Sequence, residues 1–207
     1  TFTHRSFQEY FTSIFLVTYT SDNNFRLIDK IAFVNDRDDV IPMVYDINQD
    51  LLEQEWVVPR LESMITELST IPDTVKGKTV LLSLMYKGLT THDKEGEYSV
   101  AFRLYSREGD HTRFFHILFK IYGDEIRKYH KSEREVDETE NQAEKQLINI
   151  ILEGDGEQSD FLSLENISEL GDEVTTLIYQ SKCYLHLTTN LNFAKEKLTY
   201  LRDKYAS

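Results

Sequence analysis

Thr1-Phe2-Thr3-His4-Arg5-Ser6-Phe7-Gln8-Glu9-Tyr10-Phe11, at the head of the chain, reads as the entry into a helix and points to a helical fold class. Ser6 with Glu9 three positions on forms a capping box, in which the hydroxyl accepts from an early helix N–H and the carboxylate reaches back to the N–H of the cap. A helix is therefore expected from Ser6, with His4 in the turn before it. Phe7, Tyr10, Phe11, Ile14, Phe15 and Thr18 then recur at three- and four-residue spacing, which predicts one apolar face turned to a core. Free N–H groups and partial positive charge collect at a helix start, so an anionic phosphate would be favoured beside His4. Arg5 is expected at solvent, paired with a carboxylate such as Glu9 one turn on.

Downstream, Asp22-Asn23-Asn24 offers a cap for a second stripe of Phe25, Ile28, Ile31 and Ala32. The pattern restarts at Asp36 to Asp39. Val40, Val44, Ile47, Leu51 and Trp56 predict one longer helix that tolerates Pro42 in its first turn and stops at Pro59. Leu61, Met64, Ile65, Leu68 and Ile71 add another, closed by Pro72. The polar stretch ending in Lys76-Gly77-Lys78 is expected to divide the chain into regions 1–75 and 76–207. No leucine-rich, ankyrin, tetratricopeptide or propeller period recurs, so the second region is expected to be a compact module.

Tyr98, Val100, Phe102 and Leu104 alternate as a strand does, whereas Phe115, Leu118, Phe119 and Tyr122 have helical spacing, with Gly109-Asp110 as the turn between. A hairpin of 97–106 with 112–122 is the rival arrangement, because Phe115, Ile117, Phe119 and Ile121 also alternate. Strand followed by helix is preferred. Ala143, Leu147, Ile150 and Ile151 predict a helix that Gly154-Asp155-Gly156 breaks, and Ser159-Asp160 a cap for a short element beyond. Val174, Leu177, Ile178, Leu185, Leu191, Ala194, Leu198 and Leu201 predict one or two closing helices, the second capped by Thr188-Thr189-Asn190. The expected fold class is mainly α: a helical bundle followed by a small α-rich module with a minor β element.

Composition narrows the chemistry. The 207 residues carry a formal charge of −13, which argues against a general nucleic-acid binder because phosphate backbones are held by Lys and Arg. From Glu133 to Glu173 fourteen acidic residues stand against Arg134 and Lys145, a net of −12, so the imbalance is segmental. Arg127, Lys128, His130 and Lys131 around Tyr129 form a basic cluster that reads as a solvated helix end. Phe114, Phe115, Phe119 and Tyr122 read as core.

The single Cys183 has no thiol partner, and no apolar run approaches a membrane span, so a reducing cytoplasm and no membrane are expected. Lys76-Gly77-Lys78-Thr79 imitates the end of a phosphate-binding loop, but Pro72 stands where that loop needs its first glycine. Asp155-Gly156-Glu157 lacks the glycine and terminal Glu of a calcium loop. His111, His116 and His130 have no zinc spacing. No catalytic residue and no metal ligand is assigned, and the chain alone is not expected to be an enzyme.

The opening run resembles the end of the winged-helix region in NACHT-type STAND NTPases, the switch ATPases of animal inflammasomes and bacterial anti-phage systems. Their pattern reads roughly F-x-H-x-S-F-Q-E-Y/F-[FLT]-A-A. Phe2, His4, Ser6, Phe7, Gln8, Glu9, Tyr10 and Phe11 carry the likeness here, which extends to about Leu16 and departs where Thr12-Ser13 replaces Ala-Ala. It covers under a tenth of the chain. The resemblance implies that His4 contacts the terminal phosphate of ADP and helps to hold a closed state. It implies ATP or ADP with Mg in a larger parent, though none in this chain, and region 1–75 as the end of the winged-helix and helical domain. Region 76–207 becomes a sensor module. The implied partners are an upstream nucleotide-binding domain and a protein trigger or further copies of the chain. The other reading keeps the helices and makes the chain a free-standing acidic, toxin-neutralising, protein-binding domain.

Overall fold

The apolar periodicities become helices over most of the chain, because each stripe finds a second helix or a sheet face to cover it. The computed structural model describes residues 4–19, 24–34, 38–94, 97–103, 110–132, 138–153, 161–164 and 171–206. In chain order these form α1 (His4–Thr18), α2 (Asn24–Val34), α3 (Val40–Ile47), α4 (Gln49–Leu52), a π-turn (Glu53–Val57), α5 (Val58–Ser69) and α6 (Val75–Met85). There follow β1 (Gly88–Lys94), β2 (Glu97–Arg103), α7 (Asp110–Ser132), α8 (Glu138–Leu152), β3 (Phe161–Ser163), α9 (Gly171–Gln180) and α10 (Lys182–Tyr205). The fold is mainly α with a small antiparallel sheet, as the sequence predicts.

The chain divides into two compact units, each assembled from separate stretches. The first comprises Thr1–Glu67, Arg113–Arg127 and Phe193–Ser207. Its core centres on Trp56, whose ring meets Phe114 edge-on at 5.4 Å while its indole N–H donates to Asp29 Oδ1 at 3.0 Å. Leu52, Val44, Leu61 and Leu201 are fully buried in the same unit. Arg113 donates to the carbonyl of Phe33 at 3.0 Å and Lys120 to that of Asp38 at 2.7 Å.

The predicted helix from Val40 to Trp56 is interrupted, and Pro59 does not stop the helical run. Pro59 lies in the first turn of α5, directly after the π-turn. It has no N–H to give the Glu55 carbonyl, and its ring would crowd that carbonyl in a regular helix. The turn ahead of it widens instead, with the Val58 N–H bonded to the carbonyl of Glu53. The helix α1 also starts two residues before Ser6, at His4.

The second unit comprises Leu68–Thr112 and Lys128–Asn192. Thr74 caps α6 by accepting from the Gly77 N–H at 3.1 Å, so Lys76-Gly77-Lys78 lies inside that helix. The sheet has the order β2-β1-β3 and is antiparallel throughout. Thr91 stands opposite Val100 on one side of β1, and Leu89 opposite Leu162 on the other. Ala143, Leu147 and Ile151 are the buried stripe of α8, which lies against this sheet and α9.

Strand followed by helix holds for 97–103 and 110–132. The strand pairs with β1, which pairs in turn with β3; the sequence marked neither. Gly109, Gly154-Asp155-Gly156 and Ser159-Asp160 lie outside the described residues, whereas Asp110 opens α7. The predicted cap at Thr188-Thr189-Asn190 is instead interior to α10, and the break falls at Ser181. Its hydroxyl donates to the Ile178 carbonyl at 2.7 Å and accepts from the Tyr184 N–H at 3.3 Å, ending one helix and starting the next.

Candidate functional site

The motif residues ride on α1, whose inward face is not the aromatic one. Ser13 and Leu16 are its buried side chains, and the Ser13 hydroxyl lies 2.8 Å from the Glu9 carbonyl and 3.1 Å from that of Val40 on α3. Phe7, Tyr10, Phe11, Phe15 and Tyr19 are 49%, 48%, 64%, 49% and 45% exposed. The predicted stripe therefore exists but points to solvent, because α1 packs on α3 through small and aliphatic side chains that allow close approach. The rings lean on one another: Phe7 stacks on Phe11 at 6.5 Å, Phe15 on Tyr19 at 5.0 Å, and Tyr10 meets Phe11 edge-on at 5.6 Å.

Of the predicted site residues, His4 is the first residue of α1, Gln8 is exposed, and Ser6 and Glu9 are half-buried. Phe2 and the side chains of His4 and Arg5 lie outside the described residues. No known protein family, characterised protein or solved structure matches this chain.

A second constellation in the first unit escaped the sequence. Glu53, at the head of the π-turn, is fully buried. Its Oε1 accepts from Gln49 Nε2 at 3.0 Å and from the Tyr122 hydroxyl at 2.7 Å. Its Oε2 accepts from Lys204 Nζ at 2.9 Å and lies 2.6 Å from the Tyr205 hydroxyl. That hydroxyl also lies 2.7 Å from Asp50 Oδ1, so its single proton serves one carboxylate at a time.

Burial pushes the Glu53 carboxyl up, but the bonds from Tyr205, Gln49, Tyr122 and Lys204 outweigh it and hold the carboxyl below its ordinary value. Tyr122 moves the other way, raised by burial and by the carboxylate it serves. Tyr45, edge-on to Tyr122 at 5.4 Å, is pushed up to about 12 by burial and the Glu53 charge. Hydrogen bonding to Tyr205, Asp50 and Glu53 raises Lys204 against the opposing effect of burial.

Three donors hold the buried carboxylate throughout, and Tyr205 shares a fourth with Asp50, so its hydrogen bonding is taken up inside the protein. Glu53 thus fastens the π-turn to α7 and to the last turn of α10. Its signal in the sequence was one of two acids inside Leu51-Leu52-Glu53-Gln54-Glu55-Trp56-Val57, which periodicity alone places on a surface.

The remaining candidates resolve into packing. An open cleft of about 300 Å³ runs along α7 between Phe119 and Arg127. Its charged groups serve neighbours: Lys120 the Asp38 carbonyl, Arg127 the Asp124 carboxylate, and Glu125 the buried Lys197 at 2.8 Å. Phe114, Phe115 and Tyr122 are core as expected, while Phe119 is partly exposed. The basic cluster forms the end of α7, where His130 bonds Asn190 Oδ1 at 2.7 Å. Cys183 donates to the Val100 carbonyl at 3.0 Å. Among the described residues no group of three His, Cys, Asp or Glu is placed to hold a metal, and no helix is long and apolar enough to cross a membrane.

Proposed function

We propose that this chain is the regulatory and sensing part of a nucleotide-switched ATPase of the NACHT-type STAND class, working in the cytoplasm in antiviral, anti-phage defence. The observation that carries this reading is the position of His4 as the first residue of α1, a helix of 15 residues. The positive end of the helix dipole makes that end attractive to a terminal phosphate, and the motif histidine stands there. ATP or ADP with Mg belongs to the upstream nucleotide-binding domain, and this chain supplies the contact that keeps ADP in place.

In this reading the chain does no chemistry of its own. A protein trigger binds the second unit better in the open state than in the closed one, and that difference in affinity sets how far the population shifts toward nucleotide exchange. The test is His4→Ala in the protein carrying its upstream domain. The expected result is faster ADP release and higher basal ATPase activity. Unchanged ADP release, or a reading frame upstream with no G-x-x-x-x-G-K-[ST] sequence, overturns the assignment.

A further inference from the structure

We propose that the outward face of α1 is a self-association surface on which a second copy of this chain docks, helix antiparallel to helix. The proposal concerns the partner of the motif helix and does not depend on the nucleotide contact at His4.

Charge selects the occupant. Each copy carries a net −13, so most ways of bringing two copies together set acid against acid. On α1 the exposed side chains from Phe7 to Tyr19 are Phe7, Gln8, Tyr10, Phe11, Phe15, Thr18 and Tyr19, with no charge among them. Glu9 lies on the opposite side, between Ser13 and Leu16 on the helical wheel, where α1 meets its own unit. This face lets two copies meet without burying like charges. An anionic bilayer, by contrast, would be repelled by the same net charge.

Geometry and size agree with that occupant. Phe7, Phe11, Phe15 and Tyr19 are spaced by four, so they form one ridge along the helix. A two-fold axis at the level of Ser13 sets Phe11 against Phe15 of the second copy and Phe7 against its Tyr19, so each contact pairs aromatic with aromatic. The four half-exposed aromatic side chains of the ridge offer roughly 400 Å² per copy, and the pair would bury about 800 Å², the size of a weak, concentration-dependent contact. A patch of this size is comparable to the largest that monomers expose. The rings already lean on one another along α1, which lowers the entropy lost when they dock.

The test is the mass of the 207-residue chain in solution, read by sedimentation across about 1–100 μM, a range chosen to bracket the micromolar affinity of a small interface. The expected result is a reversible dimer that tightens as salt rises, because salt screens the acidic repulsion and not the aromatic contact. Phe11→Arg and Phe15→Glu should each weaken the dimer at least about tenfold, with the melting temperature unchanged because both positions are exposed. Mixing the two variants should restore association as a heterodimer, since the introduced guanidinium of one copy then faces the introduced carboxylate of the other across the axis. A wild-type chain that stays monomeric at the highest concentration overturns the proposal, as does a dimer indifferent to Phe11→Arg. Neither result bears on ADP release, so the nucleotide reading stands or falls separately.

Discussion

The Tyr122 hydroxyl donates to Oε1 of Glu53 at 2.7 Å, and each residue sits where its helix departs from α geometry. Glu53 opens the π-turn, and Tyr122 has φ −117 and ψ 21 inside α7, just ahead of Gly123. The two irregularities are joined by one buried bond. Tyr122→Phe keeps the ring, including its contacts with Tyr45 and with Lys197 Nζ at 4.0 Å, but leaves the carboxylate one donor short. The expected loss is about 1–3 kcal/mol. Glu53→Ala should cost more, because it takes the acceptor from the buried Tyr122 hydroxyl and from Gln49 and leaves Lys204 and Tyr205 with Asp50 alone. Urea unfolding of both variants checks the order; a Tyr122→Phe loss equal to that of Glu53→Ala would show that the hydroxyl alone holds the cluster.

The same cluster sets the response to pH. Glu53 and Asp50 are held below their ordinary carboxyl values of 4.5 and 3.8. The stability they confer is present above those values and is lost as pH falls through the lower folded values. Tyr122, Tyr45 and Tyr205 are raised above the usual phenol value of 10.0, so their contribution is complete below pH 10 and is lost as pH climbs through the raised values. Melting temperature should therefore be flat from about pH 5 to 9 and fall on either side. Glu53→Gln should flatten the acid limb and Tyr122→Phe the alkaline one, both followed by circular dichroism.

Gly77 makes a prediction opposite to helix propensity. It lies inside α6, where Ala is normally the better helix former by about 1 kcal/mol. A Cβ added there would stand 1.8 Å from the Pro72 carbonyl oxygen, a backbone atom with no rotamer to escape through. Gly77→Ala should destabilise the second unit by about 1–3 kcal/mol, whereas Ser83→Ala, on the same helix, should be near neutral. Thermal melts of the two variants decide it, and a stabilised Gly77→Ala would mean that Pro72 gives way.

The legible parts of this chain were those where one residue type acts through one local rule. Leu61 and Met64, or Ala143, Leu147 and Ile151, are periodic, and all are buried as that periodicity requires. Periodicity names the apolar face of α1 too, but it cannot say whether a neighbour covers it; Ser13, a hydroxyl that bonds its own helix and α3, took the inward place. β1 was hidden because Gly88-Leu89-Thr90-Thr91-His92-Asp93-Lys94 owes its strand to pairing with β2 and β3 rather than to alternation. Glu53 was hidden for the same kind of reason, since Tyr122, Lys204 and Tyr205 reach it from far along the chain. Side chains paired over such separations leave no trace in a local window.

At Val100 the outer edge of β2 is closed by side chains, and this can be tested at a single amide. Val100 stands opposite Thr91 with its N–H and C=O turned away from β1. Glu144 Oε1 on α8 accepts the N–H at 3.3 Å, and Cys183 Sγ on α10 donates to the C=O at 3.0 Å. Lys182, 3.2 Å from Glu144 Oε2, holds the carboxylate in place. Edge strands with exposed backbone groups invite pairing with other chains, and a carboxylate over the N–H prevents it. Glu144→Ala should therefore speed hydrogen exchange at the Val100 amide and raise strand-mediated aggregation on mild heating. Lys182→Met keeps the acceptor and should change exchange much less. Glu144→Gln, which retains an acceptor oxygen but not the charge, should fall between them. Val100 exchange that is the same in Glu144→Ala as in the unaltered chain would mean that burial, and not the carboxylate, protects this edge.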